Sequence, residues 1–362
     1  MKIRQIKKIA PALLRAGVQH GLSVHFKGKP GCGKSEFVEN EIPQIAMDTF
    51  GCKEFPVNVQ TLADIEAPDV RGFAIPAKEE DGNWVTRFTR SPLMPRAGSP
   101  EYGMVFLDEK NQAKQDVAKA TSQFTLNKRA GEFQMPDTYV VWSASNRQSD
   151  RSGTTRELMH NVNREIQIDV ESDVDSWCDW AFANNIHPLF VAFAKFKPGL
   201  IFDAEIPREP APWCTPRSYV KFFELMDLYT GGNIDGMLSE DALAVEMGAG
   251  MIGMSTATEA LAFMKVANHL PSIDKIVREP DVAAKQLPDG RPDVMFAACT
   301  MVIHHAKEEN AEPIFNFITK LPKEFQVSTL ANAATHTQGA LTSVPGWAEW
   351  IDQNAELVEA SF

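Results

Sequence analysis

The chain has 362 residues, 44% of them hydrophobic and 23% charged, which is the makeup of a folded protein with room for about two or three domains. Its net charge of −12 excludes a protein that coats nucleic acid through bulk electrostatics. Five widely spaced cysteines without a C-x-x-C pair suggest neither a zinc site nor a disulfide framework and fit a reducing cytoplasm, and no apolar run reaches the roughly 18 residues of a membrane span.

In chain order, the first segment is basic and acid-free, a composition shared with organelle transit peptides. Ile3, Ile6, Ile9 and Leu13 recur at helical spacing, so a helix packed beside the first strand accounts for the same residues. A strand is predicted over residues 22–26, and Gly28-Lys29-Pro30-Gly31-Cys32-Gly33-Lys34-Ser35 follows at once, with Glu36 continuing into a helix. This is the pattern G-x-x-x-x-G-K-[ST]. Its glycines let backbone N–H groups turn toward a phosphate, Lys34 reaches the outer phosphates, and the Ser35 hydroxyl can hold Mg²⁺. The helix N-terminus adds a positive dipole end. Cys32 lies inside the loop, where a thiol is open to oxidation or is simply a small residue that fits.

Further strands are predicted at 55–59, 104–107, 139–143 and 166–170, mostly separated by helical patterns, which implies a parallel sheet flanked by helices. Between the second and third strands, Asp81-Gly82 centres a predicted hairpin over 72–92, and a second hairpin is predicted over 129–138. The third strand ends in Asp108-Glu109. Ligands of open α/β sheets bind at the carboxyl ends of strands, so Asp108 is a candidate Mg²⁺ ligand beside the loop and Glu109 is placed to polarise the attacking water. The fourth strand ends in Asn146, which can orient that water or serve only as a turn residue.

After about Asn185 the strand signals fade. Residues 1–185 therefore read as an α/β nucleotide-binding domain, and 186–362 as helices divided by Pro- and Gly-containing loops, forming a helical lid and C-terminal domain. Segments 293–306 and 311–320 carry apolar stripes at helical spacing. Gly248, Gly250 and Gly253 match G-x-G-x-x-G, but they follow a helical pattern rather than a strand, which points to close helix packing. His304-His305 has no further ligand at metal-binding spacing, and Trp347 and Trp350 are expected to dock the final helix.

Over roughly residues 5 to 225 the chain resembles the AAA+ ATPases, and within them the MoxR-like branch related to magnesium-chelatase ATPase subunits. The resemblance rests on Gly28–Ser35, on Asp69-Val70-Arg71-Gly72 with its hairpin, on the segment from Phe106 to Ala113, and on Asn146. It implies an AAA+ core with a helical lid, ATP and Mg²⁺ as cofactors, and a homo-oligomeric ring, a hexamer, that remodels a client or adaptor protein carrying a von Willebrand factor A domain. It also implies that Arg164 is an arginine finger reaching a neighbouring subunit's nucleotide, with Arg151 and Arg156 as competitors, and that Arg217 of Thr215-Pro216-Arg217 contacts nucleotide from the lid. Two positions depart from the family: Arg147 follows the sensor Asn in place of Pro, and Glu165 follows the finger in place of Phe. Two other functions stay open, a nucleotide-gated binding protein with slow hydrolysis and a nucleic-acid motor that uses Arg87, Arg90 and Arg96 as a local basic patch.

Overall fold

The computed structural model describes residues 1–147, 165–234, 241–330, 333, 337 and 339–359. They divide into two compact units, Met1–Ser172 and Asp173–Phe362. The division precedes the boundary expected near Asn185 because the helix Val174–Ala183 buries Trp177, Cys178 and Ala181 in the same core as Phe190 and Tyr219. Among the described residues no helix is long and apolar enough to cross a membrane.

The first unit opens with helix α1 (Ile3–His20) and strand β1 (Ser23–Gly28). Ile6, Ala10 and Leu14 of α1 are fully buried, with Ile3, Ile9 and Leu13 partly buried beside them, so the predicted stripe does face the sheet. The next helical run consists of α2 (Lys34–Glu36), a π-helical turn (Phe37–Glu41) and α3 (Ile42–Phe50). Strand β2 (Val57–Thr61) and the short helix α4 (Ala67–Arg71) lead into the hairpin β3 (Ala74–Lys78) and β4 (Trp84–Phe88). Its turn follows from the sequence: Asp81 Oδ1 accepts from Asn83 N at 2.9 Å and Gly82 takes φ 84.

Strand β5 (Gly103–Asp108) precedes helix α5 (Gln115–Asn127) and the second hairpin, β6 (Arg129–Ala130) with β7 (Phe133–Gln134). Strands β8 (Tyr139–Ser145) and β9 (Glu165–Val170) complete the unit. The five strands expected from the sequence form one sheet, in the order β2-β5-β8-β1-β9 with every pair parallel. The long apolar runs of β5 and β8 are what a sheet covered on both faces requires. Side chains alternate across it: Met104, Phe106, Val140 and Trp142 join α1 on one face, while Val105, Leu107, Tyr139 and Val141 join α5 on the other. Each such burial contributes about 1.5–3 kcal/mol per large apolar side chain, and these residues hold together the sheet whose carboxyl edge carries the site.

The regular elements of the second unit are all helices among its described residues. Helices Pro292–His305 and Ala311–Ile318 lie where the apolar stripes predicted them. Phe190, Phe193, Phe222 and Tyr219 are buried in its centre, and the Tyr219 hydroxyl donates to the Phe190 carbonyl at 3.0 Å, so its one polar atom is satisfied. Gly248 belongs to helix Ala242–Ile252, and a Cβ there would meet Ala257 and Phe222 at 2.8 Å, which is the close packing expected of that glycine pattern. Trp350 is buried and its Nε1 donates to Gln326 Oε1 at 3.1 Å, fixing the last helix.

Candidate functional site

The carboxyl ends of β1, β5 and β8 converge on the glycine-rich loop. Gly31 and Gly33 take φ 71 and 89, the left-handed region in which a Cβ is strained. Gly28 is required for space: a Cβ there would lie 2.7 Å from the Val170 carbonyl oxygen and 3.0 Å from Cys32 Sγ. The start of the loop therefore packs directly against β9.

Lys34 is 8% exposed despite its charge. Its ammonium donates to the carbonyls of Gly28 at 2.9 Å and Lys29 at 3.0 Å, and to Asn146 Oδ1 at 3.3 Å. Cys32 Sγ stands 3.7 Å away. Ser35 Oγ donates to Asp108 Oδ2 at 2.5 Å. Lys34 with Asn146 and the adjacent Ser35 with Asp108 thus form one group, assembled from two strand ends and one helix start.

Glu109 N donates to Asp108 Oδ1 at 2.8 Å, and Glu109 itself adopts φ 52, ψ 36. Few non-glycine residues take this conformation, which costs on the order of 1–3 kcal/mol and is characteristic of functional positions. A 3₁₀ turn, Lys110–Gln112, follows directly. Asn111 Nδ2 donates to the Asn146 carbonyl at 2.8 Å, linking the end of β5 to the end of β8. Glu36, next to Ser35 on the first helical turn, is exposed.

Arg151, Arg156 and Arg164 lie outside the described residues. Arg217 belongs to the second unit, exposed in the first turn of helix Pro216–Thr230, which Thr215 caps by accepting from Ser218 N at 3.1 Å. Arg147 Nη2 donates to the Val170 carbonyl at 3.2 Å. Sequence reasoning missed Lys110 and Glu165, which pair with 10% and 2% of their side chains exposed. A glutamate opening an otherwise strand-like run was the available signal.

The donor chemistry matches a nucleoside triphosphate with Mg²⁺. The glycine loop packs against β9 too closely for a Cβ at Gly28, and the Ser35 hydroxyl and Asp108 carboxylate bring two hard oxygens together, the kind of ligand Mg²⁺ takes.

No family model matches the chain, and no curated protein matches it. Among solved structures, the chain is similar to a putative ATPase from Cytophaga hutchinsonii, at 12% identity over 98% of this chain and 88% of that one, with a TM-score of 0.33. It is similar to the RuvB Holliday junction branch migration motor of Thermotoga maritima, at 15% identity over 76% and 74%, TM-score 0.36. It is also similar to NtrX from Brucella abortus in complex with ADP, at 13% identity over 78% and 64%, TM-score 0.35.

Proposed function

We propose that the protein is a Mg²⁺-dependent ATPase of the AAA+ class, of the MoxR-like branch, acting as a ring that remodels a partner protein. The observation that carries the reading is the group Lys34, Ser35, Asp108 and Asn146 around the glycine loop, with Glu109 beside it.

Phosphoryl transfer needs positioning and neutralisation of charge more than covalent help. In this reading the loop N–H groups and Lys34 hold the phosphates, with Glu36 at the loop's exit. Ser35 and Asp108 would hold Mg²⁺, which when bound would supply positive charge to the phosphates. Glu109 accepts a proton from the attacking water, and Asn146 orients that water. Arg164 reaches from a neighbouring subunit and Arg217 from the lid, so assembly completes the site. An arginine supplied in this way raises turnover by about 10³- to 10⁵-fold in GTPases, and an isolated subunit should accordingly be slow.

The β3–β4 hairpin, with Trp84 71% exposed and Phe73 and Ile75 also exposed, is the element suited to a client or adaptor, a protein with a von Willebrand factor A domain. A nucleic-acid role is less favoured. Arg87 is engaged by Glu79 at 3.2 Å and Glu132 at 3.6 Å, and Arg90 sits over the Phe133 ring at 5.9 Å, which reduces the charge available to a phosphate backbone.

The experiment is Glu109→Gln, followed by ATP binding, phosphate release and sedimentation with and without ATP. The variant is expected to bind ATP, lose turnover and accumulate as rings. Wild-type turnover in the variant, or a monomer at every nucleotide concentration, would contradict the reading.

A further inference from the structure

The buried ion pair between Lys110 and Glu165 is not accounted for by nucleotide binding. The Glu165 carboxylate takes the Lys110 ammonium on Oε2, which also lies 3.6 Å from His25 Nδ1. Its Oε1 accepts from Ser143 Oγ at 3.4 Å, and His25 Nε2 is 2.9 Å from Ser145 Oγ. His25, Ser143 and Glu165 are all almost wholly buried. One layer of polar side chains from β1, β8 and β9 therefore surrounds the pair. In the sheet order, β8 and β1 separate β5 from β9, so the contact ties the turn after β5 to the far side of the sheet.

Stability gives no reason for charges here. Removing both from water is costly, and an apolar pair of similar volume commonly packs as well or better. Their location suggests a different purpose. Lys110 follows Glu109, whose backbone is held in the left-handed region, and Gln112 N donates back to the Glu109 carbonyl at 2.8 Å. Asn111 fastens the same turn to Asn146. The Glu109 backbone is thus anchored by Asp108 on one side and by the Lys110–Glu165 contact and Asn111 on the other.

We propose that Lys110 and Glu165 are positioning residues: their buried ion pair, with Ser143 donating to the Glu165 carboxylate, holds Glu109 in the left-handed conformation from which its carboxylate acts on the attacking water. The proposal rests on the reading of Glu109 as the water-activating group. Since the contact with His25 and the hydrogen bond from Ser143 join the pair to β1 and β8 and not to Ser35 or Asp108, it is assigned to the chemical step and not to nucleotide binding.

The test is the double variant Lys110→Met/Glu165→Met, which removes both charges at similar volume, with Glu165→Gln as a second, nearly isosteric variant. Melting temperature, ATP affinity with Mg²⁺ and phosphate release are measured beside wild type and Glu109→Gln. The double variant is expected to melt at or above wild type and to bind ATP with unchanged affinity. Its turnover should fall about 100-fold, the scale of a 1 Å misplacement. Adding Glu109→Gln should then lower turnover little further, because the residues act as one unit. Glu165→Gln should show the same split, lowered turnover with affinity intact. A folded, ATP-binding double variant that turns over at the wild-type rate overturns the proposal alone. If wild type releases no phosphate, or Glu109→Gln releases it normally, the functional reading falls and this proposal with it.

Discussion

The Ser35 hydroxyl donates to Asp108 Oδ2 across 2.5 Å, joining the end of the glycine loop to the end of β5 over 73 positions of sequence. In the proposed function these two hard oxygens would hold Mg²⁺. Ser35→Ala should therefore abolish the gain in ATP affinity that Mg²⁺ gives over a chelator, while costing about 1 kcal/mol of stability for the lost hydrogen bond. Titration of a fluorescent ATP analogue in both conditions reads this directly. A variant that keeps the full Mg²⁺ gain removes Ser35 from the metal's ligands.

The left-handed backbone of Glu109, at φ 52, gives a stability prediction opposite in sign to the activity prediction. A non-glycine residue pays about 1–2 kcal/mol there, and glycine pays roughly 0.5–1 kcal/mol in unfolded-state entropy instead. Glu109→Gly should be as stable as wild type or more so by thermal melting, with turnover lost. A clear drop in melting temperature would mean that the carboxylate holds the fold.

Gly28→Ala tests the shape of the cradle. The new methyl would press on the Val170 carbonyl oxygen, a backbone atom in β9 that cannot rotate away, so the loop must shift. Such overpacking costs about 1–3 kcal/mol, and ATP affinity should fall sharply while circular dichroism stays that of the folded protein. Undiminished ATP affinity would contradict the assignment of the loop as the binding cradle.

In the second unit, burial, together with His305 and His187, holds the His304 imidazole below the usual 6.5, and its ring lies beside Phe182 with centroids 6.5 Å apart. The unfolded chain then takes up a proton at higher pH than the folded one. Stability from this group is complete above about pH 6.5 and declines as pH falls through that value toward the folded pKa. Melting between about pH 7.5 and about pH 5.5 should show the decline, and His304→Gln should flatten it. Equal slopes in variant and wild type would rule out His304 as its source.

Much of this architecture was legible because local signals agreed with one another. The runs ending in Gly28, Asp108 and Asn146 are apolar, β-branched and bounded by turn residues, so both the strands and the polar residues at their ends could be read. Both hairpins announced themselves through Asp81-Gly82 and Gly131. What sequence could not show was pairing across the sheet. Lys110 and Glu165 meet only because β9 lies outside β1, and nothing local to either residue encodes that order. Glu165, a departure from the family pattern, is a buried carboxylate with its own partners. The earlier division of the chain was equally hidden, since helix Val174–Ala183 has apolar residues that either unit could have covered.

The central claim is that Lys34, drawn inward onto the carbonyls of Gly28 and Lys29 and onto Asn146, marks the phosphate site of an ATPase. Phosphate release from ATP in Mg²⁺, wild type against Lys34→Ala at matched concentration, tests it most directly. Wild type should release phosphate and Lys34→Ala, still folded by circular dichroism, should release none above background. A folded wild type inert toward ATP, or a Lys34→Ala variant that turns over at the wild-type rate, would contradict the account.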